Sequence, residues 1–102
     1  MDIGFKENTM LITISDLLID NININYTMQF AEVGWRLVDD TGQTWKNGLA
    51  IFWATMPPPE LDPDGNPLPY PENWFLLPAG YLPNLLALRN DADTALTAKY
   101  LQ

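Results

Sequence analysis

The chain contains no cysteine and no histidine. Without cysteine it has no disulfide framework, no thiolate nucleophile and no soft metal ligand, and a small chain of this kind fits a reducing compartment. Without histidine it lacks the commonest general base, the commonest metal ligand and the side chain best suited to switching near neutral pH. Catalysis would have to rest on carboxylates, tyrosine or a group borrowed from a partner. A non-enzymatic protein with no cofactor and no metal is therefore expected.

Positive charge is scarce as well. Five Lys and Arg stand against 13 Asp and Glu, giving a net charge of −8. No cation falls between Lys46 and Arg89, while Glu60, Asp62, Asp64 and Glu72 lie inside that gap. Such a chain repels a phosphate backbone, so direct nucleic-acid binding is not expected. The acidic excess suits either plain solubility or attraction to a basic partner. Long apolar runs are missing too: nowhere do about 18 uncharged apolar residues follow one another, and "MDIGFKENTMLITISDLLID" shows no basic segment leading into an apolar one. No membrane association is expected, and a cytoplasmic or virion location is.

What the chain does have is enough apolar material for one core: 102 residues with 47% hydrophobic side chains make a single domain. A compact chain of this length has a radius of gyration of roughly 13 Å. That leaves little interior for a ligand cavity of about 300–1,000 Å³.

Residues 10–14, "MLITI", read as a short strand, and "SDLLIDN" after it, rich in turn formers, as a bend or short edge segment. Ile22, Ile24, Tyr26, Met28 and Phe30 alternate with Asn23, Asn25, Thr27 and Gln29, the period of a half-buried strand over 22–30. The phase then shifts to Val33, Trp35 and Leu37, which calls for a bulge within 31–34 at Gly34. Asp39, Asp40 and Gly42 form a tight turn, Asn47 and Gly48 a second turn or a Gly bulge, and 49–56 a well-buried strand. An antiparallel meander of three to four strands over 10–56 is expected. In 82–101, Leu82, Leu85, Leu88, Ala92, Leu96 and Tyr100 recur at helical spacing, with Pro83 suited to the first turn and Asn90 and Asp91 as the point where the helix could break.

Between sheet and helix lies "MPPPELDPDGNPLPYPENWFLLP", 56–78, with eight prolines. A flexible linker would not carry so many large apolar side chains. A polyproline ligand is disfavoured because no two of these prolines are three apart and the flanking charges are acidic. "DPDGN" has the start of a calcium loop, yet position 73 is Asn where that loop needs its final acid, and a Pro-Gly turn explains the same letters. Tyr26, Trp35, Trp45, Phe52 and Trp53 could form a stacking platform, though core and interface packing accounts for them with fewer demands.

The expected fold is thus α+β: a small antiparallel sheet, a proline-rich extended arm over 57–78 and one C-terminal helix packed on the sheet. The prolines lower the entropy of the unfolded arm and the aromatics anchor it to a surface, its own or a neighbour's. Pro57, Pro58, Pro59, Leu61, Leu68, Tyr70, Trp74 and Phe75 are the expected partner-binding residues. The function this implies is that of a structural or accessory subunit of a larger assembly, homo- or hetero-oligomeric, such as a phage particle. The alternative is an acidic antagonist that occupies a basic site on a host enzyme or nuclease.

Overall fold

The computed structural model describes residues 14–101. The expected strand at 10–14 therefore lies almost entirely outside the described residues. Four strands and a helix follow in order: β1 (Ile14–Asn25), β2 (Phe30–Asp39), β3 (Thr44–Trp53), β4 (Trp74–Leu76) and α1 (Leu85–Tyr100). The strands make one sheet of order β1-β2-β3-β4.

β2 sets the pattern for the whole molecule. Its odd positions Ala31, Val33, Trp35 and Leu37 are buried on one face, and its even positions lie on the other. No bulge interrupts β2 within 31–34: the even apolar positions of β1 meet the odd ones of β2 across the hairpin that joins them, and the irregularity lies instead in β1. There Leu17 and Ile19 pair with Leu37 and Trp35, Ile22 and Ile24 pair with Val33 and Ala31, and the register slips between Ile19 and Asn21 so that Asp20 is the extra residue. Gly34 serves this neighbour rather than a bulge of its own: Asn21 Oδ1 accepts a hydrogen bond from its amide at 3.2 Å. A Cβ at 34 would stand 2.4 Å from that oxygen. "SDLLIDN" is accordingly no bend. It stays in β1, absorbing its turn-forming residues as irregularities at Ser15 and Asp20, where Asp20 meets Arg36 at 2.9 Å.

The strand expected over 22–30 is two strands. The alternation runs without a break through a hairpin whose loop is 26–29. Asn25 Oδ1 accepts from the Met28 amide at 2.8 Å, and Gln29 takes the left-handed conformation at φ 59°. The apolar phase here is carried by Tyr26 and Met28, which are exposed. At the next hairpin the reading holds: Asp39 Oδ1 accepts from the amides of Thr41 and Gln43, and Gly42 sits at φ 86°. Asn47 and Gly48 form neither turn nor bulge, since both pair regularly with Arg36 and Trp35.

β1, β2 and β3 are antiparallel, but β4 runs parallel to β3, with Ile51 opposite Trp74 and Trp53 opposite Leu76. The sheet is mixed, and the purely antiparallel expectation is corrected. The reason lies in the connection: a parallel neighbour must start from the opposite end of the sheet, so the chain needs a long crossover. The proline-rich segment is that crossover.

α1 covers the odd-numbered face of β2. Leu88, Ala92 and Leu96, at i, i+4 and i+8, are fully buried against Val33, Phe52 and Leu77. Burying each such leucine contributes about 1.5–3 kcal/mol. The helix is unbroken at Asn90 and Asp91 and begins later than 82. Asn84 is its N-cap and accepts from the Ala87 amide at 2.9 Å, so Pro83 precedes the cap and Leu85 is exposed. At its other end Tyr100 stacks on Trp35 with ring centroids 4.3 Å apart. The Cα radius of gyration is 17.3 Å with extents of 54 × 40 × 17 Å. This is wider and flatter than the compact expectation because one helix covers one face of the sheet.

Candidate partner-binding surface

On the face away from α1, β3 presents Leu49, Ile51 and Trp53, and β4 presents Trp74 and Leu76 beside them. Phe30 joins from β2. The rings form a continuous chain: Phe30 to Trp53 at 4.8 Å, Trp53 to Trp74 at 5.0 Å, Trp74 to Tyr70 at 5.6 Å. Leu49 and Leu76 are 46% and 57% exposed, whereas Trp53 in the middle of the strip is buried at 9% and Phe30 and Trp74 are half-buried, so the open part of the strip is its edge.

The crossover is not an extended arm. It doubles back: the Leu68 amide donates to Glu60 O at 2.7 Å, and the Asp62 amide to Asn66 O at 2.8 Å. At its tip Asp62 Oδ1 accepts from the amides of Asp64 and Asn66, with Gly65 at φ 85°. The calcium-like letters are thus used as an Asx turn, with one carboxylate oxygen of Asp62 turned to the backbone. Further back, the Tyr70 hydroxyl donates to Pro57 O at 2.5 Å and ties the two legs together. Between this proline lobe and the sheet lies an open cleft of about 470 Å³, lined by Trp53, Trp74, Tyr70, Leu68, Glu60 and five prolines.

Of the expected partner-binding residues, Pro57, Pro58, Pro59, Leu68, Tyr70 and Trp74 come together around this cleft. Leu61 is exposed where it bridges Pro67, away from the cleft lining. Phe75 lies on the opposite face of β4 and stacks on Phe52 at 4.7 Å within the protein's own core. Trp53, Phe30, Leu49 and Leu76 complete the surface and were not among the expected residues. The five-ring platform does not form, because Trp35 and Phe52 face α1, Trp53 faces away from it and Tyr26 sits in a hairpin loop.

Charge is distributed unevenly about this surface. Glu60 is in the cleft lining, and no cation is, among the described residues. Arg36 is engaged by Asp20. Lys99 donates to Glu72 O and lies 5.3 Å from the Phe75 ring, and Lys46 lies 5.7 Å from the Tyr100 ring. Among the described residues, no three Asp or Glu side chains gather into a metal-holding group, and no helix is long and apolar enough to cross a membrane. No family model, curated protein or solved structure matches this chain.

Proposed function

We propose that this chain is a non-enzymatic interaction protein, an accessory subunit of a larger assembly, that docks through the sheet face left uncovered by α1. The observation that carries this reading is the aromatic strip itself. Phe30, Trp53, Trp74 and Tyr70 stack in sequence on a face edged by exposed Leu49, Leu68 and Leu76. Single exposed leucines are ordinary, whereas contiguous apolar surface on a small domain marks a contact site. Tryptophan and tyrosine are also the residues that most often anchor protein interfaces.

The test uses the isolated chain. Binding of a hydrophobic dye and concentration-dependent sizing are expected, and Leu49→Asp with Leu76→Asp is expected to abolish both while leaving the far-UV circular dichroism unchanged. A chain that stays monomeric at every concentration and binds no dye refutes the proposal.

A further inference from the structure

We infer that the cleft between the proline lobe and Trp53, Tyr70 and Trp74 is a groove for an extended cationic peptide: a polyproline-II segment of another protein, with Lys or Arg flanking its prolines. This rests on the interaction reading above and adds the class of partner.

Three features of the groove select this occupant. Its accessible rings are Trp74 and Tyr70, with the buried Trp53 beneath them, and aromatic-lined grooves accept polyproline II because that helix presents its rings and methylenes without internal hydrogen bonds to break. Its facing wall is built from five prolines. Proline has no amide hydrogen, so this wall cannot zip onto a β-strand, and recognition falls to side-chain packing and charge. The groove is also held in shape before any ligand arrives: the Tyr70 hydroxyl is bonded to Pro57 O, and the Asp62 turn closes the lobe. Such preorganisation removes ordering cost from binding.

Charge sets the rest. Glu60 is in the lining, Asp62, Asp64 and Glu72 lie in the same crossover, and that crossover has no Lys or Arg. A cation over Trp or Tyr rings beside a carboxylate is favoured twice, by the ring quadrupole and by the ion. The same charge argues against the other occupants. A second copy of this chain would bring its own acidic, cation-free proline segment into an acidic groove, and a nucleic acid would bring phosphates.

The inference is tested by titrating the full chain with capped synthetic peptides, followed by isothermal calorimetry and by amide chemical shifts. The probes are an alternating Pro and Leu peptide with Arg at each end, the same peptide with Glu at each end, and an Arg-ended peptide with Gly and Ser in place of proline. Only the first is expected to bind, with shifts confined to the lobe and to Trp53 and Trp74. Tyr70→Ala and Glu60→Gln both fall in the lobe, and unchanged far-UV circular dichroism together with unchanged β2 and β3 amide shifts is required of each before its binding is read. Tyr70→Ala is expected to weaken binding about tenfold or more, and Glu60→Gln to weaken it less while flattening its salt dependence. Equal binding of the Arg-ended and Glu-ended peptides overturns the inference, as does indifference to both substitutions. If no peptide binds while the chain still binds dye and self-associates, the inference fails and the interaction reading stands. If dye binding and self-association fail as well, both are refuted. Self-association lost in Tyr70→Ala overturns the peptide assignment in favour of a second copy.

Discussion

Gly48→Ala is the sharpest test of how the helix is fixed to the sheet. Gly48 sits opposite Trp35 in the β2–β3 ladder, on the face that α1 covers. The Trp35 indole lies directly over it: a Cβ at 48 would be 2.6 Å from Cζ2 and 2.9 Å from Cε2, against an ordinary contact of 3.4–4 Å. The ring would have to retreat by most of an ångström, but Tyr100 is stacked on it at 4.3 Å. Overpacking of this kind costs about 1–3 kcal/mol. Gly48 has no left-handed φ to protect, so alanine recovers about 0.5–1 kcal/mol of the entropy cost of glycine in a strand. The net expectation is a loss of about 1–2 kcal/mol, or roughly 5–15 °C in Tm for a domain of this size. Urea unfolding followed by tryptophan fluorescence measures it. The second arm is Tyr100→Ala, which gives the indole room to move, so Gly48→Ala is expected to cost much less in that background. A neutral or stabilising Gly48→Ala, or an equal cost with and without Tyr100, refutes the reasoning.

Asp39 is held below its ordinary pKa of 3.8 by hydrogen bonds from the Thr41 side chain first and the Gln43 amide next. Its contribution to stability is therefore present above pH 3.8 and lost as pH falls through the depressed value; an NMR titration is expected to place its midpoint below 3.8, and Asp39→Ala to reduce stability at neutral pH but not in strong acid. Tyr100 moves the other way, raised above 10.0 by burial and then by the Glu72 charge. The stability it lends is present below pH 10 and lost as pH rises through the raised value, so ultraviolet titration is expected to show a late tyrosine that Tyr100→Phe removes. Asp62→Ala deletes the acceptor of two backbone amides and is expected to speed hydrogen exchange in 60–68 while leaving β2 and β3 protected. Trp74→Ala strips the ring that touches both Trp53 and Tyr70, and because that ring is half-buried on the open face rather than in the core, the expected cost by denaturant unfolding is about 0.5–3 kcal/mol.

The parts of the fold legible in the sequence were those in which local chemistry and tertiary packing agree. β2 alternates cleanly, the turn at 39–43 has an Asp cap and a glycine where each is needed, and α1 repeats its buried residues every four positions. The hairpin at 26–29 was hidden because Tyr26 and Met28 continue the period of the strand into a loop, where exposure costs them burial but not bonding. Its local signal was Asn25, a residue suited to capping a turn. The parallel placement of β4 was not legible, since a three-residue strand carries no periodicity and each of its residues pairs with one 23 positions earlier in sequence. Within the site, the proline-segment residues were identified because composition alone marks them. Trp53 was not, because β3 read as buried throughout, whereas its alternate residues divide between α1 and the open face. A strand at 74–76 also separates Trp74 from Phe75, since neighbours in a strand point to opposite faces.

That division explains why a crossover rather than a tight turn carries the cleft. Phe52 and Phe75 stack toward α1, while Trp53 and Trp74 meet on the other side, so pairing β4 with β3 builds both faces at once. A hairpin would have put β4 antiparallel and left no chain over the open face. The parallel route makes the chain travel back outside the sheet, and eight prolines in 56–78 restrict the conformations it can take on the way. The crossover ends at Tyr70 and Trp74, one closing the lobe onto Pro57 and the other paired into the sheet opposite Ile51. The floor and the wall of the cleft are therefore mechanically joined.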